Sequence, residues 1–195
     1  MSEGTGSIEL PITGTPTTAG SVTFTISGIA ELTNNTVVAT VAAAGSADYT
    51  SNVSLPTVDN STNASYKAVI NIGGTDFPGL KLGTGSKIGT YTTEVLPATG
   101  NVTLSFYAVA WKGKKGTVKI TVNNGGTIDN AANKTFDLQA NDGATGNPPF
   151  TMALDTDNFY SVSLQGVTAA TTLTIETVSG TGLDPRAVLT GVNVK

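Results

Sequence analysis

The sequence predicts an all-β protein, and three features carry that prediction. Apolar and polar residues alternate in short runs, most plainly from Asn101 to Asn123, where Val102, Leu104, Phe106, Ala108 and Ala110 precede Val118, Ile120 and Val122. A period of two belongs to strands with one buried face. Thr, Val and Ile recur throughout, and branching at Cβ suits a pleated, half-buried surface better than a helix. No stretch long enough for a stable helix carries a helical period.

The elements follow in order. Residues 1–20 form a polar leader with Pro11 and Pro16, with one candidate edge strand at Ile8–Ile12. Ser21–Ser27 alternates, with Val22, Phe24 and Ile26 inward, and Thr36–Ala43 is a run of small apolar residues. Gly45–Ser65 is rich in Ser, Thr, Asn and Asp and reads as a loop or weak edge. Tyr66–Ile72, the short Leu80–Leu82 and Ile88–Leu96 come next. Asn101–Asn123 reads as a β-hairpin through the basic turn Lys112–Lys115. Thr135–Gln139, Phe150–Leu154, Phe159–Leu164, Thr171–Thr177 and Ala187–Val194 complete the set. Asn123–Gly126, Asp155–Asn158 and Ser179–Gly182 supply residues that tolerate positive φ or close Asx turns. About a dozen short strands at this spacing predict a β-sandwich or jelly roll, with residues 21–195 as a single domain. The final strand should tie the end of the chain into a sheet.

Composition bounds the function. With 195 residues, 38% hydrophobic and 12% charged, the chain can bury a substantial core. A net charge of -4 with scattered cations argues against nucleic acid and anionic lipid as partners. No apolar run is long enough to span a bilayer as a helix. Cys is absent, which excludes disulfides and thiolate metal sites. Met1–Gly6 has neither a basic n-region nor an apolar h-region, so no export signal is expected in this chain. Abundant Thr, Ser, Asn and Gly with sparse charge nevertheless fit an exported bacterial surface protein, a candidate lipoprotein.

One resemblance covers about residues 66–195. Gly79-Leu80-Lys81-Leu82-Gly83-Thr84, Ser86-Lys87-Ile88-Gly89, Phe106 followed by Trp111-Lys112-Gly113-Lys114, and Arg186-Ala187-Val188-Leu189-Thr190-Gly191-Val192 resemble the galactose-binding-like jelly rolls of Bacteroidetes surface proteins. The resemblance implies a jelly-roll fold and a carbohydrate-binding role, the modules standing alone or attached to hydrolases and nucleases; fold likeness alone does not assign a ligand.

The chemistry available to the side chains narrows matters further. His is absent, which removes the usual general base and the Ser–His and Cys–His nucleophile systems. Glu94 and Glu176 are the strand-borne carboxylates that a glycosidase pair would need, and solvated faces are their ordinary location. The chain therefore reads as no enzyme. For sugar binding, Trp111 and Tyr107 share one strand face and are candidates for an aromatic platform, although both faces of that strand are apolar, which favours their burial in the core. Asn141, Asp142 and Asn147 on one loop, with Asn158 and Tyr160 on the next, are candidate polar contacts. Asp155 and Asp157 with Asn158 place oxygen ligands at a spacing that suits calcium, against the simpler reading of a turn. The Lys112–Lys115 turn reads as a solvated tip that discourages edge pairing, or as a site for an acidic glycan. The expected function is non-catalytic glycan binding at the cell surface; the alternative is an adhesive or fimbrial protein that pairs by strand addition.

Overall fold

The computed structural model describes residues 49–112, 114–138 and 158–195, with the backbone alone of residues 20–25, 36–41 and 150–151. The chain divides into two units, Met1–Asp48 and Tyr49–Lys195. In the first, β1 (Gly20–Thr25) pairs antiparallel with β2 (Thr36–Val41), from Gly20 opposite Val41 to Thr25 opposite Thr36. The leader strand expected at Ile8–Ile12 lies outside the described residues.

The second unit is a β-sandwich. Its strands are β3 (Ser65–Ile72), β4 (Thr75–Leu82), β5 (Thr90–Thr92), β6 (Gly100–Ala110), β7 (Gly116–Asn123) and β8 (Thr127–Ile128), then β9 (Asn133–Leu138), β10 (Phe150–Thr151), β11 (Phe159–Val167), β12 (Thr172–Thr177) and β13 (Ala187–Val194). One sheet has seven strands in the order β10-β3-β4-β13-β6-β11-β8, the other four in the order β5-β12-β7-β9. From β4 to β9 each successive strand crosses to the opposite sheet, the wrapping path of a jelly roll. No helix among the described residues is long and apolar enough to cross a membrane.

Alternation builds the core. Leu80, Leu82, Leu104, Phe106, Ala108, Val162, Leu164 and Leu189 of the larger sheet meet Val118, Ile120, Phe136, Leu138, Leu173 and Ile175 of the smaller. Phe106, Phe136 and Tyr160 interlock within it, with the Phe106 and Tyr160 rings stacked at 5.2 Å. The other face of the larger sheet is apolar as well: Ala68, Ile70, Val109, Trp111 and Val188 form a second buried cluster. All eight residues of β13 are consequently buried, at the centre of the sheet between β4 and β6.

The strand expected over Ile88–Leu96 shortens to β5, Thr90–Thr92, and two further expectations change. The run Asn101–Asn123 is no hairpin: β6 and β7 belong to opposite sheets, and their apolar faces look at each other across the core. Alternation dictates which side of a strand is buried, and it is the same whether the next strand lies beside it or above it. The Lys112–Lys115 turn is thus a crossover between sheets, with Lys112 at φ 51°. The segment expected as Leu80–Leu82 is a longer strand that begins at Thr75 and runs through Pro78 and Gly79. Proline survives there because β13 pairs with β4 only from Leu82 to Gly79, so Pro78 faces no β13 ladder position that needs its missing N–H.

Candidate functional site

The end of the β4–β13 ladder opens the surface that matters most. Beyond Thr190 opposite Gly79, β13 bulges at Gly191 (φ 59°) and turns away from β4. The edge this leaves is taken by Tyr49–Val53. Val53 donates its N–H to Val192 O at 3.2 Å, and Val192 donates to Ser51 Oγ at 2.9 Å. The Asn52 amide acts as a one-residue strand, giving Nδ2 to Val194 O and receiving Val194 N at Oδ1, both at 2.9 Å. Thr190 Oγ1 lies 2.9 Å from Pro78 O and 3.2 Å from Tyr49 O, and so ties the two diverging chains where they part.

Between these chains lies a groove of about 570 Å³, lined chiefly by Val53, Leu55, Pro56, Val69, Phe77 and Pro78, with Lys67 and Asp76 at its rim. The Phe77 ring meets Tyr49 edge-on at 5.2 Å. On the far side of the Ser54–Thr57 ledge is a second groove of about 380 Å³. Its lining is polar: Asn60, Asn63, Thr90, Thr92 and Glu94, with Tyr91. The two grooves share Ser54, Leu55, Pro56 and Thr57.

Each wall is held in place. The Tyr91 hydroxyl donates to Ser54 O at 2.9 Å and anchors the ledge. Burial pushes the Tyr91 phenol above its ordinary value, and the Glu94 charge acts in the same direction. Asn60 and Ser65 exchange backbone bonds at 2.7 and 3.0 Å, and Asn60 Oδ1 accepts the Asn63 N–H at 3.0 Å, closing the turn that carries both amides. Lys87 Nζ caps the carbonyls of Ser61 and Thr62, and Thr90 N binds Asn63 O at 2.8 Å, which docks this turn on β5.

The residues singled out in the sequence fall elsewhere. Trp111 is only 6% exposed; Lys81 Nζ and Arg186 Cζ each lie 5.4 Å from its ring centroid. Burial, and then the charge of Arg186, lower the Lys81 pKa. Asp184 receives Arg186 Nε and an Arg186 amino group at 2.7 and 2.6 Å, which holds its carboxyl below the usual range. Tyr107 is half-buried between the rings of Tyr49 and Phe159, at 4.8 and 5.0 Å. Tyr107 and Trp111 therefore meet protein rather than form an open platform. Asn158 is buried, and Tyr160 stacks on Phe106 with its hydroxyl on Asp137 O at 2.9 Å. Asn141, Asp142, Asn147, Asp155 and Asp157 lie outside the described residues. Among the described residues no cluster of three or more metal-ligating side chains occurs. Glu176 is engaged by Lys119 at 2.7 Å and Glu94 stands in the polar groove.

The expectation of a loop or weak edge over Gly45–Ser65 fits Tyr49–Val53, which lies along β13, but it names no site residue and so misses the ledge and the Asn60–Asn63 turn. The signal was there in the density of amides and hydroxyls around Leu55-Pro56, but its proximity to β4 and β5 depends on the way the sheet splits.

No family model and no curated protein matches the chain. Among solved structures it is similar to TmCBM61 in complex with beta-1,4-galactotriose, at 9% identity and a TM-score of 0.29, over 67% of this chain and 68% of that one. A likeness of that size carries no argument, so the sandwich stands on its own ladders and buried faces.

Proposed function

We propose that this chain is a non-catalytic glycan-binding module of an exported bacterial protein, and that its site is the pair of grooves on either side of the Ser54–Thr57 ledge. The observation that carries the reading is their complementary chemistry. An apolar floor of Leu55, Val69, Phe77 and Pro78 adjoins a wall of amides, hydroxyls and one carboxylate. A pyranose presents the same two characters, C–H faces and a rim of hydroxyls. Each hydrogen bond to such a ligand replaces one to water and contributes only about 0.5–1.5 kcal/mol. The reading therefore predicts weak, additive binding rather than a tight lock. The absence of His from the whole chain and the engagement of Glu176 by Lys119 support a role without turnover. Low charge and abundant Thr, Ser, Asn and Gly support export and an extracellular or surface location.

A glycan array probed with the full chain tests the reading. Signal on a defined set of glycans is expected, falling about tenfold in affinity in Asn63→Ala and Glu94→Ala, both exposed side chains. Uniform silence on the array, with folded protein, refutes it. Asn141, Asp142 and Asn147 are a second proposed contact. A calcium role for Asp155 and Asp157 is proposed with it, and a melting temperature raised by calcium and restored by chelator checks that role.

A further inference from the structure

The two grooves share a wall, and their lining is nearly uncharged in sum; together these features narrow the ligand class. A single sugar seated in one groove meets half of the available chemistry, either the apolar floor or the amide wall. Only a ligand that continues over Ser54, Leu55, Pro56 and Thr57 uses both. The ledge is a fixed saddle, held by Tyr91 Oη on Ser54 O at 2.9 Å and by Val53 N on Val192 O at 3.2 Å, so ordering it adds little to the cost of binding. Val58, 72% exposed, lines the polar groove and adds apolar contact beside its amides.

Charge sets the second restriction. The polar groove has one carboxylate, Glu94, and no cation in its lining, while the apolar groove has one Lys and one Asp, which offset each other. Uronates and sulfated sugars meet a like charge where their hydroxyl partners lie, in a chain whose net charge is already -4.

Building on the glycan reading above, we infer that the site takes an uncharged oligosaccharide, with at least two consecutive sugars astride the Ser54–Thr57 ledge, and rejects acidic glycans. Calorimetric titration of the full chain with neutral gluco- and galacto-oligosaccharides of increasing length, and with matched oligouronates, tests this. Affinity should rise by about tenfold or more between the monosaccharide and the length that spans both grooves, then level off. Oligouronates should bind weakly to the native chain and gain in Glu94→Gln. Thr57→Arg on the exposed ledge and Val69→Trp in the apolar groove should each reduce the long ligand to the affinity of the short one, with unchanged amide dispersion showing that the fold is intact. A monosaccharide that binds as tightly as a tetrasaccharide overturns the inference and leaves the glycan reading standing. So does equal binding of uronates. Loss of all glycan binding, or displacement only by a proline-rich peptide, overturns both.

Discussion

Tyr91 shows how much one side chain can decide in this molecule. Its ring fills a gap at the edge of the core and its hydroxyl holds the ledge, so Tyr91→Phe removes a single hydrogen bond and leaves the packing. The expected cost is about 0.5–1.5 kcal/mol. The sign of its pH dependence follows from burial. The folded phenol keeps its proton above the ordinary value of 10.0, while the unfolded chain loses it there. Stability from this group is complete below that value and declines as pH rises through the raised folded value. Urea melts taken across this window should show an alkaline decline in the native chain that is shallower in Tyr91→Phe; equal slopes would contradict the assignment. Trp111 carries the opposite lesson. Apolar residues on both faces of its strand already pointed to burial, and the ring lies under Lys81 and Arg186.

At the scale of elements, the sheet splits because one ladder stops. Gly79 closes the β4–β13 pairing, Pro78 has no N–H to extend it, and Gly191 turns β13 aside at φ 59°. Gly79 is also packed so closely that a Cβ there would strike the Ile70 side chain and the Leu189 carbonyl oxygen. Thr190 bridges the gap, and Thr190→Val keeps the shape while removing the one hydroxyl hydrogen that the Pro78 and Tyr49 carbonyls share. It should lower stability by about 1–3 kcal/mol. It should also speed hydrogen exchange at Val53 and Val192 before the rest of the sheet, because the stitching of Tyr49–Val53 to β13 starts at this hydroxyl. Uniform exchange across the sheet would show that the junction is not held here. The strands themselves were largely legible: Ala187–Val194 coincides with β13, and Thr171–Thr177 differs from β12 by one residue. Strand β8, two residues long, left no periodic signal to find.

For the molecule as a whole, the centre of the larger sheet is made by the last strand in sequence. Removing Ala187–Lys195 withdraws the common partner of β4 and β6 and exposes both faces of the sheet. The truncated chain should lose amide dispersion and cooperative melting; a variant that melts like the full chain would contradict this architecture. The all-β class, the strand spacing and the inward faces of β6 and β7 were determined by the sequence itself, because alternation and β-branching are local properties that any burial partner must respect. Which strands lie side by side was decided only in three dimensions, as β6 and β7 show, since an apolar face is satisfied equally by a neighbour in its own sheet or by one across the core. The candidate site belongs to that second category. Ser54–Thr57, the Asn60–Asn63 turn and Phe77-Pro78 are ordinary polar or turn-forming stretches until the fold places the first between the other two, and no pairwise spacing along the chain encodes where a sheet will come apart.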